Sequence, residues 1–131
     1  MSYQAPVRDY LFLLRDVLQL DRYANLPAFA DASMDTVEAI LEEAGKFTSE
    51  VLAPLNAVGD KQGCVWSPDF SVKTPDGFKD AYAKLVEGGW PALGSDPAYG
   101  GQGLPHVVNV AFSEMSSAAN MAFSMYPGLT H

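Results

Sequence analysis

A loop dense in glycine and proline, Gly88-Gly89-Trp90-Pro91-Ala92-Leu93-Gly94 and then Tyr99-Gly100-Gly101-Gln102-Gly103-Leu104-Pro105, runs straight into an apolar stretch around Glu114. Residues without a Cβ or without an amide hydrogen break both regular backbones, so the chain must stop, turn and restart here. The segment leading into the loop reads as a helix end. The segment leaving it reads as a helix opened by Pro105, whose fixed φ suits a first turn.

Elsewhere the apolar residues recur at helical spacing. After Pro6, the set Val7, Tyr10, Leu11, Leu14, Val17 and Leu18 makes one amphipathic stripe, widened by Leu13 and Leu20 toward a second packing surface. Residues 21–33, with Asn25 and Pro27, read as connection holding one short helical turn. A second helix is expected from Asp35, with Glu38 three residues on as a capping box, followed by Val37, Ile40, Leu41, Ala44, Phe47, Val51 and Leu52. Pro54 should kink or end it. Residues 59–77 read as a long loop that is either functional or laid down against a neighbour, with Val65, Trp66 and Phe70 as apolar residues it could dock with. Phe78, Tyr82, Leu85 and Val86 predict a third helix that stops at Gly88-Gly89. The fourth, from Pro105, is apolar on most sides through Val107, Val108, Val110, Ala111, Phe112, Met115 and Ala118, as a central helix would be. It continues from Asn120 to Leu129, with Pro127-Gly128 threatening a break. Without strand-like alternation or a tandem repeat, the expected class is all-α, an orthogonal helical bundle.

A chain of 131 residues is long enough for one domain with its own core. Its 16 acidic against 8 basic residues give a net charge of −8, which repels nucleic-acid backbones and anionic lipid surfaces. The single cysteine, Cys64, excludes an internal disulfide and a thiolate metal centre, and points to a reducing compartment. The run Leu11-Phe12-Leu13-Leu14 is flanked by Arg8, Asp9, Arg15 and Asp16, so neither a signal peptide nor a membrane span is expected, and the location inferred is cytoplasmic.

Few residues invite a chemical role. Gly100-Gly101-Gln102-Gly103 resembles a phosphate cradle only superficially, since no strand precedes it and the glycine spacing is wrong; it reads as a structural turn. Glu114, in an apolar helix, should bond a backbone amide or a basic side chain at a helix contact. His106 reads as a surface residue, and neither it nor His131 supplies a nucleophile pair with Cys64. Ser113, Ser116, Ser117 and Ser124, with Ala118, Ala119 and Ala122, make a small-residue face beside the flat or adaptable side chains Phe123, Met125 and Tyr126. Such a face suits close helix packing or one wall of a pocket for an extended apolar ligand.

Taken together, Glu87-Gly88-Gly89-Trp90-Pro91, Tyr99-Gly100-Gly101-Gln102-Gly103-Leu104-Pro105 and Ser113-Glu114-Met115 through Tyr126-Pro127-Gly128-Leu129-Thr130 resemble the amino-terminal helical domain of the acyl-CoA dehydrogenases. The opening Tyr3-Gln4-Ala5-Pro6-Val7-Arg8-Asp9-Tyr10-Leu11-Phe12-Leu13-Leu14 is similar to the leader of the branch that includes the methylmercaptopropionyl-CoA dehydrogenases. The resemblance implies a leader helix and connection over residues 1–34 and the helical domain proper over 35–131, ahead of a β domain and a second bundle. It implies oxidation of an acyl-CoA thioester in fatty acid metabolism, with FAD as cofactor and electron-transfer flavoprotein as acceptor. Phe123, Ser124, Tyr126 and Pro127 would face the acyl tail. The family's glutamate base and flavin contacts lie in later domains, so this chain is expected to carry no catalytic, cofactor-binding or metal-binding residue and to neither hold FAD nor turn over alone. Uncovered apolar surface should make it self-associate as a homo-oligomer. A free-standing helical interaction module and a non-dehydrogenase relative, such as an acyl-CoA oxidase or a DNA-damage-associated member, are the rival readings.

Overall fold

A computed structural model of the chain describes residues 3–129; Thr130 and His131 lie outside them. The described residues are all-α apart from one small hairpin.

α1 (Val7–Phe12) follows Pro6 and runs on through a π-helical turn, Leu13–Val17. Only part of its predicted stripe is used: Leu14 is buried, Tyr10 and Leu11 are half-buried, and Val17 and Leu18 stay exposed. Leu20, in a 3-10 turn at Leu20–Tyr23, is buried, whereas Leu13 faces solvent. A second 3-10 turn, Pro27–Phe29, completes the connection.

α2 (Met34–Lys46) begins one residue before the expected start. Its cap is Ser33, in an extended conformation, whose Oγ accepts the Thr36 amide at 3.3 Å; Asp35 instead lies in the first turn, where a carboxylate suits the helix dipole. Glu38 closes no capping box, because its carboxylate pairs with Arg15 of the π-helical turn after α1 at 2.7 Å. Ser33→Ala should therefore destabilise the fold by about 1 kcal/mol while Asp35→Ala costs less, a contrast that urea titrations of the two variants would measure.

Pro54 does not stop this helix. A π-helical turn, Phe47–Leu52, precedes it and α3 (Ala53–Gln62) continues beyond. The wider turn carries an extra residue and moves the proline ring off the carbonyl it would strike in a regular helix. Within that turn Thr48, fully buried, donates its hydroxyl to the Ala44 carbonyl at 2.8 Å.

The loop expected over residues 59–77 is corrected at its start, where α3 holds residues 59–62, and by a strand pair within it. β1 (Val65–Trp66) pairs antiparallel with β2 (Val72–Lys73), a strand pair too short for periodicity to show. Val65, Trp66 and Phe70 are exposed, Phe70 at 85%, and do not dock on the described residues; Trp66 and Phe70 instead pack edge to face, 6.4 Å apart. α4 (Phe78–Glu87) ends as expected, with Gly89 in the left-handed conformation at φ 70°.

The core joins Val37, Leu41 and Ala44 of α2, Leu52, Phe78, Ala81 and Leu85 of α4, and one side of α5 (His106–Gly128). Leu14, Leu20 and Ala32 from the first 34 residues belong to the same buried cluster. α5 is not apolar all round in use: Val110 and Ala118 point outward, while Val108, Ala111, Met115 and Ala119 are buried. No helix among the described residues is long and apolar enough to cross a membrane.

Candidate functional site

Trp90 fixes the glycine loop to the core. Its indole stacks on Phe112 of α5, 4.7 Å between centroids, and Phe47 completes a three-ring cluster, 6.0 Å from Trp90 and 6.4 Å from Phe112. The loop then closes on itself: the amides of Gly100, Gly101, Gln102 and Gly103 donate to the carbonyls of Pro97, Asp96, Ala92 and Ser95. With all four donors committed to backbone, this turn offers no cradle for a pyrophosphate, in agreement with the structural reading.

α5 breaks, but at Asn120 rather than at Pro127-Gly128. Asn120 is extended, φ −159° and ψ 89°, and is only 1% exposed. Its Oδ1 accepts the Phe123 amide at 3.0 Å, as a cap accepts from a new helix, while its Nδ2 donates to the Leu52 carbonyl at 3.2 Å. The break is legible in sequence only as an asparagine among apolar residues, a weak signal, because asparagine mid-helix usually points to solvent.

On the side where the two halves of α5 bend together lies a groove of about 220 Å³. Trp90, Leu85, Phe112 and Pro127 give it apolar walls, and Ser113, Ser116 and Ser117 a polar seam. Across the break the Ser117 and Ser124 hydroxyls meet at 3.2 Å, and Ser124 also donates to the Met121 carbonyl at 2.9 Å. The Ser116 hydroxyl is buried without a hydrogen-bond partner.

The four residues expected to face a tail separate here. Phe123, Ser124 and Pro127 line the groove, with Phe123 only 1% exposed. Tyr126 points elsewhere, into a shallower depression with Thr74, Phe78, Lys79 and Tyr82, and touches the groove only by bracing Phe123 at 6.2 Å. No place in a pocket was expected for Leu85, Trp90 or Asn109, which α4, the loop and α5 respectively bring to the same groove.

Glu114 lies outside it. The exposed carboxylate faces the phenols of Tyr10 and Tyr3 instead of a basic side chain. Burial, reinforced by that carboxylate, pushes the Tyr10 phenol up to about 12. Because the folded value lies above the unfolded one, this contribution to stability is complete below pH ~10 and is lost as the pH rises through ~12. Tyr10→Phe should flatten the alkaline limb of the unfolding curve, followed by absorbance of tyrosinate. Cys64 is exposed and free, with Tyr126 at 4.0 Å from its sulfur; His106 is at the surface. No three metal-ligating side chains cluster among the described residues.

No family model matches the chain. It is 38% identical over 131 residues to a 3-methylmercaptopropionyl-CoA dehydrogenase of Ruegeria pomeroyi, covering all of this chain and 22% of that protein. It is 34% identical over 127 residues to the broad-specificity linear acyl-CoA dehydrogenase FadE5 of Mycobacterium tuberculosis, covering 96% of the chain and 21% of the relative. With a butyryl-CoA dehydrogenase of Syntrophomonas wolfei it shares 30% identity over 132 residues, 98% of the chain and 22% of the relative. The chain thus spans about a fifth of the length of the curated relatives it matches. With the helices, the glycine loop and the serine-lined break now placed, the chain belongs to the acyl-CoA dehydrogenase family.

Proposed function

We propose that this chain is the amino-terminal helical part of a flavin-dependent acyl-CoA dehydrogenase and that it closes one side of the acyl site. The observation that carries this reading is the groove at the break of α5, apolar on its walls and polar along one seam, in a chain similar over its whole length to enzymes named for acyl-CoA oxidation. Phe123, Ser124 and Pro127 face the acyl tail, and Tyr126 holds the Phe123 ring from behind. The chain's own contribution is to bind the tail, orient it and exclude water.

The glycine loop offers FAD no phosphate cradle, since its amides are already bonded, and no catalytic role is given to Glu114. Flavin, base and an electron-transfer flavoprotein as acceptor belong to the whole enzyme, which we place in the cytoplasm. The decisive experiment is expression of the complete reading frame, with the flavin spectrum recorded before and after a series of acyl thioesters. Bleaching of the flavin bands is expected; a purified protein without flavin, or with a flavin that no thioester bleaches, sinks the reading.

Alone, the 131-residue chain leaves Phe12, Val17 and Leu18 of the first helix and Trp66 and Phe70 of the hairpin exposed. It should self-associate and bind a hydrophobic dye, and a dye-free monomer in sedimentation would count against that.

A further inference from the structure

We propose that Asn120 is the positioning residue of the groove, holding the second half of α5 at the angle that makes the groove. Two independent breaks in regular structure meet at this one side chain. The π-helical turn ahead of Pro54 presents the Leu52 carbonyl, and the extended residue in α5 presents a carboxamide. The amide orientation is determined at both ends, because the Phe123 N–H requires the oxygen and the Leu52 carbonyl requires the nitrogen. Burial makes both bonds costly to lose.

The groove depends on that tether. Ser113, Ser116 and Ser117 come from before the break and Phe123, Ser124 and Pro127 from after it, so their spacing is set by the angle at Asn120. An uninterrupted helix would carry residues 121–128 onward along the axis and open the seam that Ser117 and Ser124 close. The consequence for substrate choice rests on the acyl reading proposed for the chain; the geometry does not. A looser angle should change how long a tail the enzyme prefers.

The angle is read by joining Ser117→Cys to Ser124→Cys in a Cys64→Ser chain and timing disulfide formation with copper phenanthroline. Rapid linkage is expected with Asn120 in place. Asn120→Ala should slow it about tenfold, as misalignment of reacting groups does. Asn120→Ser, a milder change that keeps a cap acceptor but lacks the amide donor, should also be slow. Val37→Ala, a core truncation away from the groove, serves as the control: it lowers stability and should leave the rate alone. Linkage of both Asn120 variants at the parent rate, or equal slowing by Val37→Ala, overturns the proposal. In the complete enzyme, Asn120→Ala should shift the kcat/KM ratio of octanoyl-CoA to butyryl-CoA about tenfold, the scale of pocket discrimination. An unchanged ratio beside slowed linkage overturns the specificity consequence. Failure of any thioester to bleach the unsubstituted enzyme would instead sink the acyl reading, with the linkage rates still deciding the role of Asn120.

Discussion

Phe123→Ala should lower the unfolding free energy of the chain by about 3–5 kcal/mol, the range for removing a buried aromatic ring. The ring is 1% exposed and packs edge-on against Phe78 at 5.8 Å and Tyr126 at 6.2 Å. Its loss opens a cavity beside Phe78 of α4 and Tyr126 near the end of α5. A urea titration should show a lower midpoint with an unchanged slope. Phe123→Leu, which keeps most of the volume, should recover much of the difference. A loss below about 1 kcal/mol for the alanine variant would mean that this ring is not the seal of the core. Because the same ring lines the groove, the acyl reading proposed for the chain also expects Phe123→Ala to lower turnover of acyl thioesters by the full-length protein.

The second large effect falls in the glycine loop, at Gly101. A Cβ there would run into the Ser95 carbonyl and side chain, backbone that cannot turn aside without breaking the loop's hydrogen bonds. Those bonds, Gln102 to Ala92 at 2.9 Å, Gly103 to Ser95 at 3.0 Å and Leu104 to Leu93 at 2.9 Å, tie the restart of the chain to residues 92–95 of the loop that follows α4. Gly101→Ala should therefore cost about 1–3 kcal/mol, as overpacking does, and should also change the emission of Trp90, which the loop holds against Phe112. Its neighbour is the control. Gly100 has φ 85° but open space around its α-carbon, so Gly100→Ala meets only the left-handed penalty of about 1 kcal/mol and should leave Trp90 undisturbed. If the two variants are ranked the other way, the loop is not closed as described.

Helical periodicity over a dozen or more residues is a strong signal, and the stripes through Leu14, through Val37-Leu41-Ala44 and through Val108-Met115 all reach the core. The glycine loop was legible for the same reason that it is stable: each of its conformations requires a residue type. The failures share a physical cause. Ser33 and Asp35 are both good caps by residue type, and only the direction of the incoming chain selects Ser33. Pro54 was judged against a regular α-helix, and the π-helical turn that accommodates it has no residue signature. Trp66 and Phe70 look like docking residues in any sequence, yet they reach no core here.

The groove shows the same division most clearly. Its serines, its aromatic residues and the family resemblance were readable from order alone, because residue type and spacing are local properties. Which of them share a surface depends on the angle at Asn120, and that angle is held by a carbonyl 68 residues earlier in the chain. Periodicity carries no information over such a distance. Local chemistry determined which helices form and what kind of surface α5 presents. Helical spacing alone turns Tyr126 away from the face shared by Phe123, Ser124 and Pro127. Only the tertiary hydrogen bond from Asn120 to Leu52, a contact between segments far apart in sequence, decided how that face meets Ser113, Ser116 and Ser117 across one groove.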